Sequence, residues 1–130
     1  MFRLVKVING NNQYETVQLK LNSSATFGKG CALTSNSGNA STPSATASPE
    51  YISITGIKES VNGKIQAMVV TEDMVFKVEL TGTSTPYIGM LVGLSTHKDK
   101  MDAVSYNSNG KGVVLAIEDN KKFVYVRFRK

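Results

Sequence analysis

The residues of this chain that could do chemistry are few and stand apart from one another. His97 is its one histidine and Cys31 its one cysteine. A thiol or hydroxyl nucleophile needs a base beside it and a third group to orient that base. Any such set would rest on His97, in the polar stretch 95–100, and on Cys31, flanked by Ala32 and Leu33. Nothing near either residue suggests activation, and Cys31 in that setting reads as a small buried apolar side chain. Zinc asks for a cluster of cysteines and histidines that one of each cannot supply. The acids are Glu15, Glu50, Glu59, Glu72, Asp73, Glu79, Asp99, Asp102, Glu118 and Asp119. The adjacent pairs Glu72-Asp73 and Glu118-Asp119 fall in turn-like stretches, where solvation explains them, and the spacing of a helix–loop–helix calcium loop is absent. Gly28-Lys29-Gly30 is too short to cradle a phosphate and no helical period follows it. The reading is of a non-enzymatic chain with no catalytic residue, cofactor or metal ligand to assign.

The composition points the same way. The 130 residues amount to one domain, large enough to bury about two-thirds of its unfolded-chain surface without staples. Hydrophobic residues make up 41% and charged residues 19%, both on the low side, and Ser, Thr, Asn and Gly fill the gap. No run approaches the roughly 18 apolar residues of a membrane span. The N-terminus carries two cations within its apolar run and reads as a poor signal peptide. A lone cysteine forms no internal disulfide, which fits a reducing compartment. The net charge is +5, and Lys121, Lys122, Arg127, Arg129 and Lys130 crowd the end of the chain against only Glu118 and Asp119. A basic tail can meet nucleic acid or an acidic surface; it also keeps an edge strand soluble and unpaired.

The elements that must position these residues are strands. Residues 64–70 alternate Ile65, Ala67 and Val69 against Gln66, Met68 and Val70, and residues 74–80 alternate Met74, Phe76, Val78 and Leu80 against Val75, Lys77 and Glu79. A period of two marks a pleated strand with one face buried, and Thr71-Glu72-Asp73 suits a hairpin between them. In residues 123–128, Val124, Val126 and Phe128 face one way and Phe123, Tyr125 and Arg127 the other. Phe76, Val78, Leu80, Val124, Val126 and Phe128 are the expected core. Asn9-Gly10, Asn62-Gly63 and Asn109-Gly110 are turn signals. Residues 2–8 and 14–21 read as two strands forming either an N-terminal hairpin or an extended arm. Residues 29–34 read as a short strand, and residues 35–50, rich in Ser and Thr with Pro43 and Pro49, as a long exposed loop. No window carries a helical period. The predicted fold is all-β, a small β-sandwich or β-barrel of about eight to ten strands, with residues 1–21 as arm or hairpin and 22–130 as a single β domain.

From Phe27 onward the order of features resembles the capsid decoration, or cement, proteins of tailed bacteriophages. The residues that carry the resemblance are Phe27-Gly28-Lys29-Gly30-Cys31-Ala32-Leu33, the Ser/Thr/Ala/Pro stretch after them, and Tyr51-Ile52-Ser53-Ile54-Thr55-Gly56. Asp73-Met74-Val75-Phe76-Lys77-Val78-Glu79-Leu80 and Pro86-Tyr87-Ile88-Gly89-Met90 complete it. The resemblance rests on pattern rather than on a diagnostic motif. It implies a virion structural protein, made in the host cytoplasm, that binds the major capsid protein lattice on the outer capsid surface as a homo-oligomer, a trimer above all, with no membrane role. An N-terminal segment able to add a strand to a neighbour's sheet and the basic last strand make Phe2, Leu4, Lys6, Ile8, Arg127 and Arg129 the candidate partner-binding residues. Two other readings stand beside it. One is another phage structural subunit, of the head–tail joint, tail or baseplate. The other, less favoured, is a small β-barrel that binds nucleic acid, with Lys121, Lys122, Arg127 and Arg129 on phosphates and Phe123 and Tyr125 as stacking platforms.

Overall fold

The computed structural model describes residues 1–8, 13–21, 27–56, 62–97 and 100–130; the side chains of His97 and Lys100 and the Asn9-Gly10 turn lie outside that description. The described chain is all-β. Its strands are β1 (Arg3–Val7), β2 (Thr16–Lys20), β3 (Ala32–Asn36), β4 (Asn39–Ser41), β5 (Tyr51–Ser53) and β6 (Lys64–Val69), followed by β7 (Met74–Thr81), β8 (Leu91–His97), β9 (Lys100–Tyr106), β10 (Gly112–Ile117) and β11 (Phe123–Phe128).

Strands β2 to β6 close into a barrel in the order β2-β4-β3-β5-β6. The other sheet runs β1-β7-β11-β10-β8-β9, and β9 also pairs with β7, so β7 to β11 form a second ring with β1 alongside it. The two rings share one topology. In each, the first strand pairs in parallel with the third (β2 with β4, β7 with β9). The third pairs with the second, the second with the fourth, the fourth with the fifth and the fifth with the first, all antiparallel. The chain is thus a tandem of two small barrels of the same design.

Their interiors differ in size. The first holds Leu19, Leu33, Ala40, Ile65 and Ala67, with Val17, Leu21, Phe27 and Tyr51 at its margin. The second holds Met74, Phe76, Val78, Met90, Val92, Leu94, Val104, Val114, Val124, Val126 and Phe128, and its cluster extends to Ala32, Ile52 and Met68 of the first barrel. Strands β3, β5 and β6 therefore bury both faces, one toward their own barrel and the other toward the neighbour. This changes the expected face of β6: Ile65 and Ala67 are buried, but so are Met68 and Val70 on the opposite face, while Val69 is only partly covered. Of the expected core, Phe76, Val78, Val124, Val126 and Phe128 are fully enclosed and Leu80 is partly buried against them.

Two expectations are corrected. Residues 1–21 form neither an arm nor a hairpin, because β1 pairs antiparallel with β7 of the second barrel while β2 joins the first. Phe2 supplies the reason. It is 3% exposed, with its ring 6.1 Å edge-on from Phe76 and 5.8 Å from Phe128, an arrangement favourable to aromatic pairs. Its N–H also donates to the carbonyl of Gly30 at 2.8 Å. A side chain at Gly30, where φ is +69°, would strike Met1 and the Phe2 carbonyl, so glycine is what lets β1 lie down there.

The expected loop 35–50 is shorter and better tied than its composition suggests. Its first residues belong to a hairpin, β3–β4, closed by Ser37 and Gly38 with φ of 53° and 83°. Residues 42–50 lack strand structure, yet Pro43 and Pro49 are buried. Leu94 N–H donates to Ala45 O at 2.9 Å, Glu50 N–H to Leu33 O at 3.0 Å, and Val70 N–H to Glu50 O at 3.0 Å. Backbone hydrogen bonds supply the order that apolar side chains do not.

Two stability outcomes follow from this packing. Phe76→Ala should cost about 3–5 kcal/mol, read from denaturant melts, because it empties the centre of the aromatic cluster. Removing residues 1–8 should lower the melting temperature of the whole chain rather than leave it unchanged, since Phe2 would leave the core with them; an unshifted melt would mean that β1 is an appendage.

Candidate functional site

Pairing fixes what the surface offers. Two β-bulges each push an aliphatic residue out of the pleat, which is a common way of re-aiming a side chain. One falls between Leu4 and Lys6 of β1, so that Val5 is exposed. The other falls between Val114 and Ala116 of β10 and turns Leu115 outward, 39% exposed. Beside Leu115 stands a turn of four residues, Tyr87 to Met90, closed by Met90 N–H to Tyr87 O at 3.1 Å. Gly89 has φ +87°, the conformation a type II turn needs at its third residue. The turn is tied to β10 by Gly89 N–H to Val114 O at 2.8 Å and Val114 N–H to Met90 O at 3.0 Å. Ile88 at its apex is 65% exposed and Tyr87 is 56% exposed. Tyr87 and Ile88 are thus exposed on a turn whose backbone is bonded to Val114, the residue before Leu115 in the chain. Large apolar side chains held out on ordered backbone are candidates for an interaction site.

The sequence-derived partner residues do not gather here. Phe2 is enclosed in the core, out of a partner's reach, and Leu4 is partly buried against that core. The bulge shifts the alternation, leaving Lys6 and Ile8 exposed together with Val5. Arg127 is half-buried on the outer face of β11, opposite Val113 of β10. Arg129 donates from Nη2 to Gly110 O at 3.3 Å, and Lys130 from Nζ to Val70 O at 3.2 Å. Sequence reasoning missed Tyr87, Ile88 and Leu115 as surface features. Tyr87 and Ile88 are residue types that favour strands, so composition alone gives no sign of the turn that Gly89 makes here.

The outer face of β7 and β11 is a charged network. Tyr125 donates its hydroxyl to Glu118 Oε1 at 2.7 Å, and Lys77 Nζ lies 3.0 Å from the same oxygen and 5.3 Å from the centre of the Phe123 ring. The hydrogen bond from Tyr125, then that from Lys77, holds the Glu118 carboxyl below its usual range. The same bond to Glu118 pushes the Tyr125 hydroxyl up. An open cleft of about 350 Å³ adjoins the network, lined by Met1, Arg3, Lys77, Glu79, Asp102 and Phe123. Among the described residues, no three His, Cys, Asp or Glu side chains group as metal ligands would. Cys31 is buried at the head of β3, its N–H bonded to Ser53 Oγ at 2.9 Å, whereas His97 closes β8 in the other barrel.

No family model, curated protein or solved structure matches this chain.

The Glu118 network has a pH signature. A carboxyl held low in the folded state adds stability that is present above its unfolded value and is lost as pH falls through its folded value. The melting temperature of the parent should therefore exceed that of Glu118→Gln near neutral pH. The gap should close as pH falls through and below the ordinary carboxylate range in thermal scans.

Proposed function

We propose that this chain is a non-enzymatic virion structural protein that binds the outside of a bacteriophage capsid, contacts the lattice of the major capsid protein and stabilises the shell. The observation that carries the reading is the apolar tip Tyr87–Ile88 with Leu115 beside it, held out on a braced turn and a bulge. An ordered projection spends little conformational entropy on docking, which favours binding to a preformed surface. A ligand that binds an assembled shell and not its free subunits stabilises the shell by mass action. Repetition on one particle multiplies weak contacts if the protein is itself oligomeric, a trimer in this proposal. The same surface would serve another phage structural subunit, and locating the protein on its particle by imaging separates the two.

The nucleic-acid reading is weakened by the placement of its residues. Lys121 and Lys122 lie in the turn between β10 and β11, while Arg127 and Arg129 lie at the far end of β11. Between them the rings proposed as platforms are engaged, Tyr125 with Glu118 and Phe123 beneath Lys77. The carboxylate of Glu118 on that face would repel a phosphate backbone.

Added to shells stripped of it, the protein should rebind saturably at a fixed ratio to the shell protein and raise the temperature at which they release DNA. Ile88→Asp should abolish rebinding while leaving the melting temperature of the free protein unchanged. Salt should matter little, because apolar contact rather than phosphate neutralisation holds the complex. A steep salt slope with single-stranded DNA, together with no shell binding, would replace this reading.

A further inference from the structure

The two barrels share a topology but not their surroundings, and the difference exposes a site. In β7, hydrogen-bonded pairing through Leu80 and Lys122 aims the main-chain groups of Phe76, Val78 and Leu80 at β11. Those of Val75, Lys77, Glu79 and Thr81 aim at the other edge. There β9 covers Glu79 to Thr81, and β1 covers Met74 to Lys77. That edge is filled by two strands in succession.

The equivalent strand of the first barrel is β2. The bonds Val69 N–H to Glu15 O and Leu21 N–H to Gly63 O aim Glu15, Val17, Leu19 and Leu21 at β6. Thr16, Gln18 and Lys20 therefore point their N–H and C=O groups the other way. Lys20 meets the first strand neighbour, with its N–H on Gly38 O at 3.2 Å and its register on Asn39 of β4. Matching Lys20 to Glu79 places Gln18 and Thr16 where Lys77 and Val75 stand. On that stretch no strand among the described residues takes the place of β1, and the side chains of Thr16 and Gln18 are exposed.

We infer that the edge of β2 at Thr16 and Gln18 is a strand-acceptor site, filled by an extended segment of the protein this chain binds. On the decorating reading, on which this assignment of the partner rests, the segment belongs to the shell protein. Its chemistry can be read from the edge. By analogy with β1 on β7 it runs antiparallel to β2, with apolar residues at alternate positions that continue the wall of the first barrel, so its first paired residue lies near Lys20. Lys20 and Lys64 face each other across β2 and β6, both exposed and with no ion pair among the described residues. An acid at the start of the incoming segment would complement that pair of like charges. The β1 segment of a second copy is a poor occupant, because it is already held on β7 with Phe2 in the core.

The probe is an acetylated peptide of two glutamates followed by alternating valine and threonine, titrated into the full chain while amide hydrogen exchange is followed. Saturable protection of the Thr16 and Gln18 amides, by about tenfold or more, is expected. Gln18→Pro deletes an N–H that serves only the open edge, a position where a strand tolerates proline. It should keep the parent's melting temperature and lose the peptide, whereas Gln18→Ala should keep both. Should Gln18→Pro not fold, the same peptide N-methylated at the amides that face β2 replaces it and should fail to bind. Binding by the N-methylated peptide or by folded Gln18→Pro, or unprotected Thr16 and Gln18 amides, would overturn the acceptor site. A self-associated free protein that Gln18→Pro renders monomeric would put a second copy on the edge and overturn the assignment to the shell. Rebinding to stripped shells is measured in parallel. Failure of the parent there removes the decorating reading, while the peptide alone decides the edge.

Discussion

The structure depends on a wall that is buried on both sides. Strands β3, β5 and β6 turn Leu33, Ile65 and Ala67 into the first barrel and Ala32, Ile52 and Met68 toward the second. Among the described residues the first barrel's own cluster has five buried side chains, two of them alanines. By area alone so small a core falls short of the chain entropy it must offset. Its stability is borrowed from the second barrel, whose large cluster continues through that wall, so the two rings stand or fall as one body. β1 reinforces the union by reaching from the second barrel to Gly30 of the first.

The surface follows from how the pairing was solved. Closing both sheets leaves few edges, and closure is how β proteins avoid indiscriminate association. What remains outward is therefore informative: aliphatic residues displaced by bulges, an apolar turn braced against β10, and one stretch of β2. None of these is a pocket with converging polar groups. The cleft beside the β7–β11 face mixes cations and acids, and its Met1 ammonium already lies 3.7 Å from the Asp102 carboxylate.

Much of the fold was legible in the chain because a period of two survives translation from residues to strands. The strands β6, β7 and β11 and the core at Phe76, Val78, Val124, Val126 and Phe128 follow from alternation alone. The strand expected over 29–34 overlaps β3, and of the loop expected over 35–50 residues 42–50 do lack strand structure, but β4 and the hairpin it forms were not legible. A run of Ser, Thr and Asn has little apolar content, and only the main-chain hydrogen bonds of a hairpin place it in a sheet. The exposed tip was hidden for a related reason. Tyr87 and Ile88 are strand-like residues, and their position on a turn is decided by Gly89 and by the backbone of Val114, far along the chain.

By itself the sequence determined that the described chain is β, which residues line the inner faces of β7 and β11, and how sparse its reactive groups are. These are local properties, carried by side-chain type and by a spacing that matches the pleat. Tertiary structure alone decided which strands pair, and so that residues 1–21 are divided between two sheets. It also decided that the chain holds the same barrel twice. The repeat lies in the order of hydrogen-bonded neighbours, while the strands that correspond differ in side chains and, except for β6 and β11, in length. Pairing over long sequence separations is set by which closed arrangement buries Phe2, Phe76 and Phe128 together, and no local window contains that choice.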